Sequence, residues 1–327
     1  MSTLTELRGP ARVVVRQHRW TLRVAGGLAL VVAIGLIAVC LRSSHVAEVF
    51  AASDCPVNGG AGRACDVTTR AYLDSMLTYR DIFHYAAALL TVLPVLLSAF
   101  VAGPLIAREL ESGTFRLSWT QSVSPARWLA SKLAVPAVLL VAGVTVLSAI
   151  LTWARTQTAD DFSVDWLDPQ FFDTTLPLVI GYTLLGIAVG ALTGLLLRRT
   201  VAAMAVAVAA TGTVMVTLSN FRRDLWPPRT ANAAAPENLG IPLDSWVLDS
   251  GRVNASGNRV SPDVCWGQAS EAQQARCMAD HHITGWFFDY HPASHLWPLQ
   301  LVETGIVLAL TALAVAVAFR VLRRRTA

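Results

Sequence analysis

The sequence predicts an all-α integral membrane protein of six transmembrane helices, with both termini cytoplasmic and a large extracytoplasmic loop before the last helix. Three observations predict it. Of 327 residues, 54% are hydrophobic and only 15% charged, where an ordinary soluble domain carries about 25% charged. Six apolar runs, at about 21–41, 83–105, 129–153, 174–197, 200–219 and 296–319, each hold roughly the 20 residues that carry a helix across a ~30 Å hydrocarbon core. Basic and acidic side chains fall at opposite ends of those runs.

The charges orient the chain. Arg8, Arg12, Arg16, Arg19 and Arg23 precede span one. Arg198-Arg199 forms the turn between spans four and five, and Arg320, Arg323, Arg324 and Arg325 end the chain. The stretch 158–173 instead carries Asp160, Asp161, Asp165, Asp168 and Asp173 with no base. The positive-inside rule puts the arginine face in the cytoplasm. The net charge of +4 is thereby a topology signal and not a nucleic-acid footprint. Residues 5–20 read either as a basic interfacial helix or as ordinary positive flanking of span one.

Span one lies too far from the start, and is too long, for a cleaved signal peptide. It contains Cys40. The outer stretches are then 42–82, 154–173 and 220–295. Cys55 and Cys65 share the first, Cys265 and Cys277 the last. Two close pairs on an oxidising face predict two local disulfides. Free thiols are the alternative, and the spacings do not suit tetrahedral zinc.

Spans two, three and four contain Pro94, Pro136 and Pro177, which permit kinks. Between spans two and three lies a long inner stretch, 106–128. Its pattern predicts a helix over 106–119, with Arg108 in reach of Glu111 and a loosening at Gly113-Thr114. A turn follows, and then a helix capped by Ser124 with Pro125 first. Arg127, Trp128 and Lys132 lead it into span three. Such a helical pair suits docking to a cytoplasmic partner, or else lies on the lipid headgroups.

Span four carries Gly186, Gly190 and Gly194 at steps of four. Such a face lets another helix approach closely, within the chain or across a dimer. The apolar cores of spans one to five hold essentially no ionisable residue, which argues against proton- or sodium-driven transport. Glu303 in span six is the intramembrane polar candidate. It reads as part of a translocation path or subunit contact, or as a glutamate hydrogen-bonded to a neighbouring helix. His281, His282, His291 and His295 match no compact metal spacing, so no metal site is expected. Trp286, Phe287, Phe288, Tyr290 and Trp297 read as an aromatic belt with short interfacial helices before span six. A P-loop, H-E-x-x-H and G-x-S-x-G are all missing from the sequence, so an ATPase or hydrolase site in this chain is not expected.

The motifs Arg108-Glu109, Glu111-x-Gly113-Thr114, Trp119-Thr120-Gln121 and Arg127-Trp128 before Lys132 closely resemble the first cytoplasmic loop of ABC transporter permeases of the type-2 exporter class, especially an actinobacterial branch. Residues 290–303 resemble that branch's approach to its last span. The resemblance implies a bacterial plasma-membrane efflux subunit without catalytic, metal or cofactor site. A separate cytoplasmic ATPase would hold ATP and magnesium. A second permease subunit, identical or paralogous, would complete the path. Carried over position by position, Arg108, Glu109, Glu111, Gly113 and Thr114 would form a gate helix. Thr120, Gln121, Ser122 and Arg127 would form the segment coupled to the ATPase. A non-transporting membrane scaffold or sensor is the alternative with the same topology.

Overall fold

The computed structural model describes residues 19–58, 62–114, 124–157, 166–235, 240–261 and 263–326. The chain divides into two units: a helical unit, and a unit of residues 220–302 with 166–167.

In the helical unit each apolar run falls on a helix, and several helices continue past it. Helix α1 covers Arg19–Ala51 and α2 covers Arg63–Leu97. A π-helical turn at Ser98–Ala102 joins α2 to α3, Gly103–Glu111. Helix α4 covers Pro125–Arg155, the short α5 Pro169–Thr174, α6 Leu178–Leu197 and α7 Thr200–Phe221. The last helix covers Leu296–Thr326. Among the described residues, six helices are long and apolar enough to cross a membrane: Gly26–Ala51, Arg63–Glu111, Pro125–Arg155, Leu178–Leu197, Thr200–Asp224 and Ala293–Arg325.

One expected loop is largely helical. The 49 residues of Arg63–Glu111 rise about 73 Å at 1.5 Å each, more than twice a bilayer core. The polar first half of α2 therefore stands outside the apolar zone, and 42–82 is mostly a helical hairpin. Phe50 stacks on Tyr72 with centroids 4.2 Å apart, and Cys55 is bonded to Cys65 across the connection. Deeper down, the Tyr79 hydroxyl donates to the Ala154 carbonyl at 3.0 Å. Ser148 donates to the Thr174 carbonyl at 2.6 Å, which holds α5 against α4. Asp168 caps α5 by accepting from the amides of Gln170 and Phe171. Span four (α6) is the most enclosed of the six, while the faces of spans one, three, five and six are mainly open.

The other unit corrects the expectation for the last outer stretch. Strands β1 (Arg229–Ala233), β2 (Trp246–Asn254), β3 (Arg259–Val260) and β4 (Ile283–His291) form one sheet in the order β1-β4-β2-β3. All its pairings are antiparallel. Of the residues expected as an aromatic belt with short interfacial helices, Trp286, Phe287, Phe288 and Tyr290 lie in β4, an inner strand whose backbone groups pair with both β1 and β2, and Trp297 lies in the last helix. Helix α8 (Glu271–Asp280) precedes it, making Leu296–Thr326 helix α9. Gly251 faces Phe287 so closely that a Cβ there would lie 2.6 Å from the ring. Arg252, 1% exposed, donates to the Val264 carbonyl and stacks on Trp286. Cys265, bonded to Cys277, directly follows that carbonyl, so the arginine ties the disulfide-bearing turn to the sheet.

Candidate functional site

Among the described residues of the helical unit, the end of span two gathers a polar constellation. It begins at Pro94, whose ring blocks an ordinary helical hydrogen bond. The backbone widens into the π-turn four residues later, a feature frequent at functional positions. Span four packs on this turn through its glycines. A Cβ at Gly186 would run into the Pro94 carbonyl. One at Gly190 would lie 2.8 Å from the Ala102 Cβ, and one at Gly194 would lie 2.9 Å from the Gly103 carbonyl. The three glycines thus seat span four on the backbone of 94–106, within one chain.

Helix α3 leaves that contact with Gly103, Pro104, Ile106 and Ala107 buried and Arg108 exposed. Its two glutamates bind other spans. Glu109 Oε1 accepts from Lys132 Nζ at 2.5 Å, and Oε2 accepts from Trp128 Nε1 at 2.9 Å. The lysine is 6% exposed, so this carboxylate answers an otherwise buried cation. Glu111 Oε2 accepts from the Thr200 amide at 3.0 Å and from its hydroxyl at 2.6 Å. It caps the first turn of α7, where an anion also complements the helix dipole. Glu111 therefore goes to span five, not to Arg108 one turn away.

Helix α3 ends at Glu111, just before the loosening expected at Gly113-Thr114, and residues 115–119 of the expected helix lie outside the described residues. Gly113 takes φ 73°, in the left-handed region that ends helices. The Ser112 and Thr114 hydroxyls bond each other at 3.0 Å. Thr120, Gln121 and Ser122 lie outside the described residues, as do residues 1–18. Where the described residues resume, the Ser124 side chain accepts from the Arg127 amide at 3.4 Å with Pro125 first in the helix. Arg127 is exposed one residue before the buried Trp128.

One apolar cluster underlies these bonds. Ile106 of span two, Trp128 and Leu129 of span three, Ala191 and Leu195 of span four, and Ala318 and Leu322 of span six are buried together. Arg325 adds a polar tie by donating to the Leu195 carbonyl, one of the unpaired C-terminal carbonyls of span four. Four spans share a packed end, and Glu111 adds the fifth.

Glu303 is fully buried toward the other end of span six, and the Tyr182 hydroxyl of span four donates to its Oε1 at 2.6 Å. It is hydrogen-bonded to a neighbouring helix. Of the histidines, His291 and His295 lie Nδ1 to Nδ1 at 2.9 Å, and His291 Nε2 faces the Arg223 carbonyl at 3.0 Å. Since a carbonyl only accepts, Nε2 carries the hydrogen; in neutral His291, Nδ1 then accepts from His295. Cys265, Cys277 and His281 bring their ligand atoms within 4.8 Å, but the sulfurs are bonded to each other and offer no thiolate.

The family model described as "ABC-2 membrane transporter related" matches residues 26–223, which takes in spans one to five and the whole constellation at the end of span two. No curated protein and no solved structure gives a significant match.

Proposed function

The chain belongs to the ABC-2 membrane transporter related family, and from that premise we propose that it is the permease subunit of an ATP-driven exporter. It forms the membrane path, together with a second permease subunit, in a bacterial plasma membrane. The loop resemblance points to the actinobacterial branch. A separate cytoplasmic ATPase binds ATP and magnesium. Its closing motion enters through residues 108–127.

One observation carries this reading: both carboxylates of α3 are bonded to the starts of other spans, Glu109 to span three and Glu111 to span five. A force on a free loop would be lost in the loop. A force on this one moves α3, and with it spans three and five and the apolar cluster beneath. The π-turn and the glycine contact lie directly behind, where span two can change its path without breaking its packing on span four.

The test is to extract the tagged full chain from its native membrane in mild detergent and identify what accompanies it. A stoichiometric P-loop ATPase, lost on scrambling 108–121 while folding persists, supports the reading. Recovery of none, under conditions that preserve a known exporter complex, moves the reading to a scaffold or sensor. ATP-dependent transport that survives in both Glu109→Ala and Gly113→Pro would remove the coupling assignment.

A further inference from the structure

Span four is enclosed along most of its length, but it opens at its inner end. Leu195 is buried, while Leu196 and Leu197 are 45% and 40% exposed. The backbone then turns at Arg198, whose φ of 52° is left-handed, and Arg199 follows. The Arg325 bond to the Leu195 carbonyl brings the last turn of span six to this place. Arg198, Arg199, Arg323, Arg324 and Arg325 are all exposed here. Glu111 stands beside them, bound to Thr200 and facing Arg199.

We propose that this inner end of spans four and six is a binding site for the phosphate of an anionic phospholipid. Guanidinium groups match phosphate oxygens in a planar, paired geometry. Basic pockets between membrane helices at the cytoplasmic surface are where anionic headgroups are held. The two leucines decide between a lipid and an acidic protein surface. They are exposed one step deeper on the same helix, where an acyl chain runs and a water-soluble partner does not reach. The site is also pre-shaped, because the Arg325 cap joins span six to span four. The inner-leaflet placement rests on the topology proposed above; the binding itself requires no ATPase.

Native mass spectrometry of the purified full chain, titrated with phosphatidylglycerol or phosphatidylcholine, tests it. Wild type is expected to retain phosphatidylglycerol selectively, and millimolar inorganic phosphate is expected not to displace it. Arg198→Gln/Arg199→Gln/Arg324→Gln, which spares the Arg325 cap, is expected to bind roughly a hundredfold more weakly. The same three positions changed to Lys are expected to keep most of the affinity, which separates charge loss from misfolding. The charge-matched Arg70→Gln/Arg80→Gln/Arg276→Gln variant is expected to bind as wild type. Equal binding of phosphatidylcholine, an unaffected triple Gln variant, or an equal loss in the charge-matched control would each overturn the site. So would loss of an acidic protein partner in the triple variant with lipid binding unchanged. Absence of ATP-dependent transport by the wild-type complex, with lipid selectivity intact, would instead count against the exporter reading alone.

Discussion

Lys132 is the single lysine in the chain, and it sits where a lysine is costly. Its ammonium is nearly enclosed and answered by Glu109, itself 21% exposed. Removing one partner of a buried pair leaves the other charge desolvated, which typically costs about 3–5 kcal/mol. The partial exposure of Glu109 lowers that, so Glu109→Ala is expected to cost roughly 2–3 kcal/mol. Thermal unfolding in detergent measures it. Glu109→Leu with Lys132→Met is expected to recover most of the loss, because it removes both charges. A double variant no better than the single would mean that the ion pair is not what stabilises this end. Sequence patterning picked out Glu109 and Glu111 but not their partners. Glu109 meets a residue 23 positions away and Glu111 one 89 away, and a period of 3.6 carries no information at that range. Tyr182→Phe tests the other buried acid. It removes a hydroxyl donor from Glu303 and is expected to cost about 1–3 kcal/mol, read in the same unfolding experiment; an unchanged midpoint would show that other partners suffice for this carboxyl.

At the scale of elements, the glycine face of span four and the four-stranded sheet make separate predictions. Gly190 has no room for a side chain against the π-turn, whereas a methyl group at Gly212 in span five would meet nothing within 4 Å. Gly190→Ala is therefore expected to cost about 1–3 kcal/mol through overpacking, and Gly212→Ala to be neutral or slightly stabilising. Equal midpoints for the two variants would contradict the close approach. The steps of four were legible in the sequence, but not the surface they meet, since an intramolecular and a dimer contact require the same residues. In the sheet, Asp289 accepts a paired bond from Arg259 and another from the Thr230 hydroxyl. The Arg259 hydrogen bond, helped by that of Thr230, holds the Asp289 carboxyl below its ordinary value. A depressed carboxylate adds stability above its unfolded pKa, and that stability fades as pH falls through the lower folded value. The sheet is thus expected to lose stability below about pH 4, followed by strand-signal circular dichroism. Asp289→Asn is expected to be less stable at neutral pH and to lack this part of the acid response. A wild-type profile in the variant would show that another group governs it.

For the whole molecule, the proposed topology puts the arginine-rich ends of the spans on one side of the membrane and the disulfide-bearing segments on the other. Reporter fusions after Arg199 and after Ala327 are expected to report cytoplasm. A fusion within 255–258, at the β2–β3 turn, is expected to report the outside. The opposite pattern would invert the positive-inside assignment. The open faces of spans one, three, five and six leave ample surface for lipid and for a second subunit.

Hydrophobicity adds up along the chain, so the sequence alone determined the six spans, the cysteine pairs and the Ser124 cap, all of which depend on near neighbours. Pairing across the chain does not add up that way. Only the tertiary structure decided that the carboxylates of α3 go to spans three and five, and that span four's glycines seat on the π-turn. It also decided that most of an aromatic stretch resembling a membrane belt lies in an inner strand of a sheet. The physical reason is common to all of these: a hydrogen-bond donor or a packing surface is chosen by proximity in space, and residues such as Glu111 and Thr200 become neighbours only after the spans between them have packed.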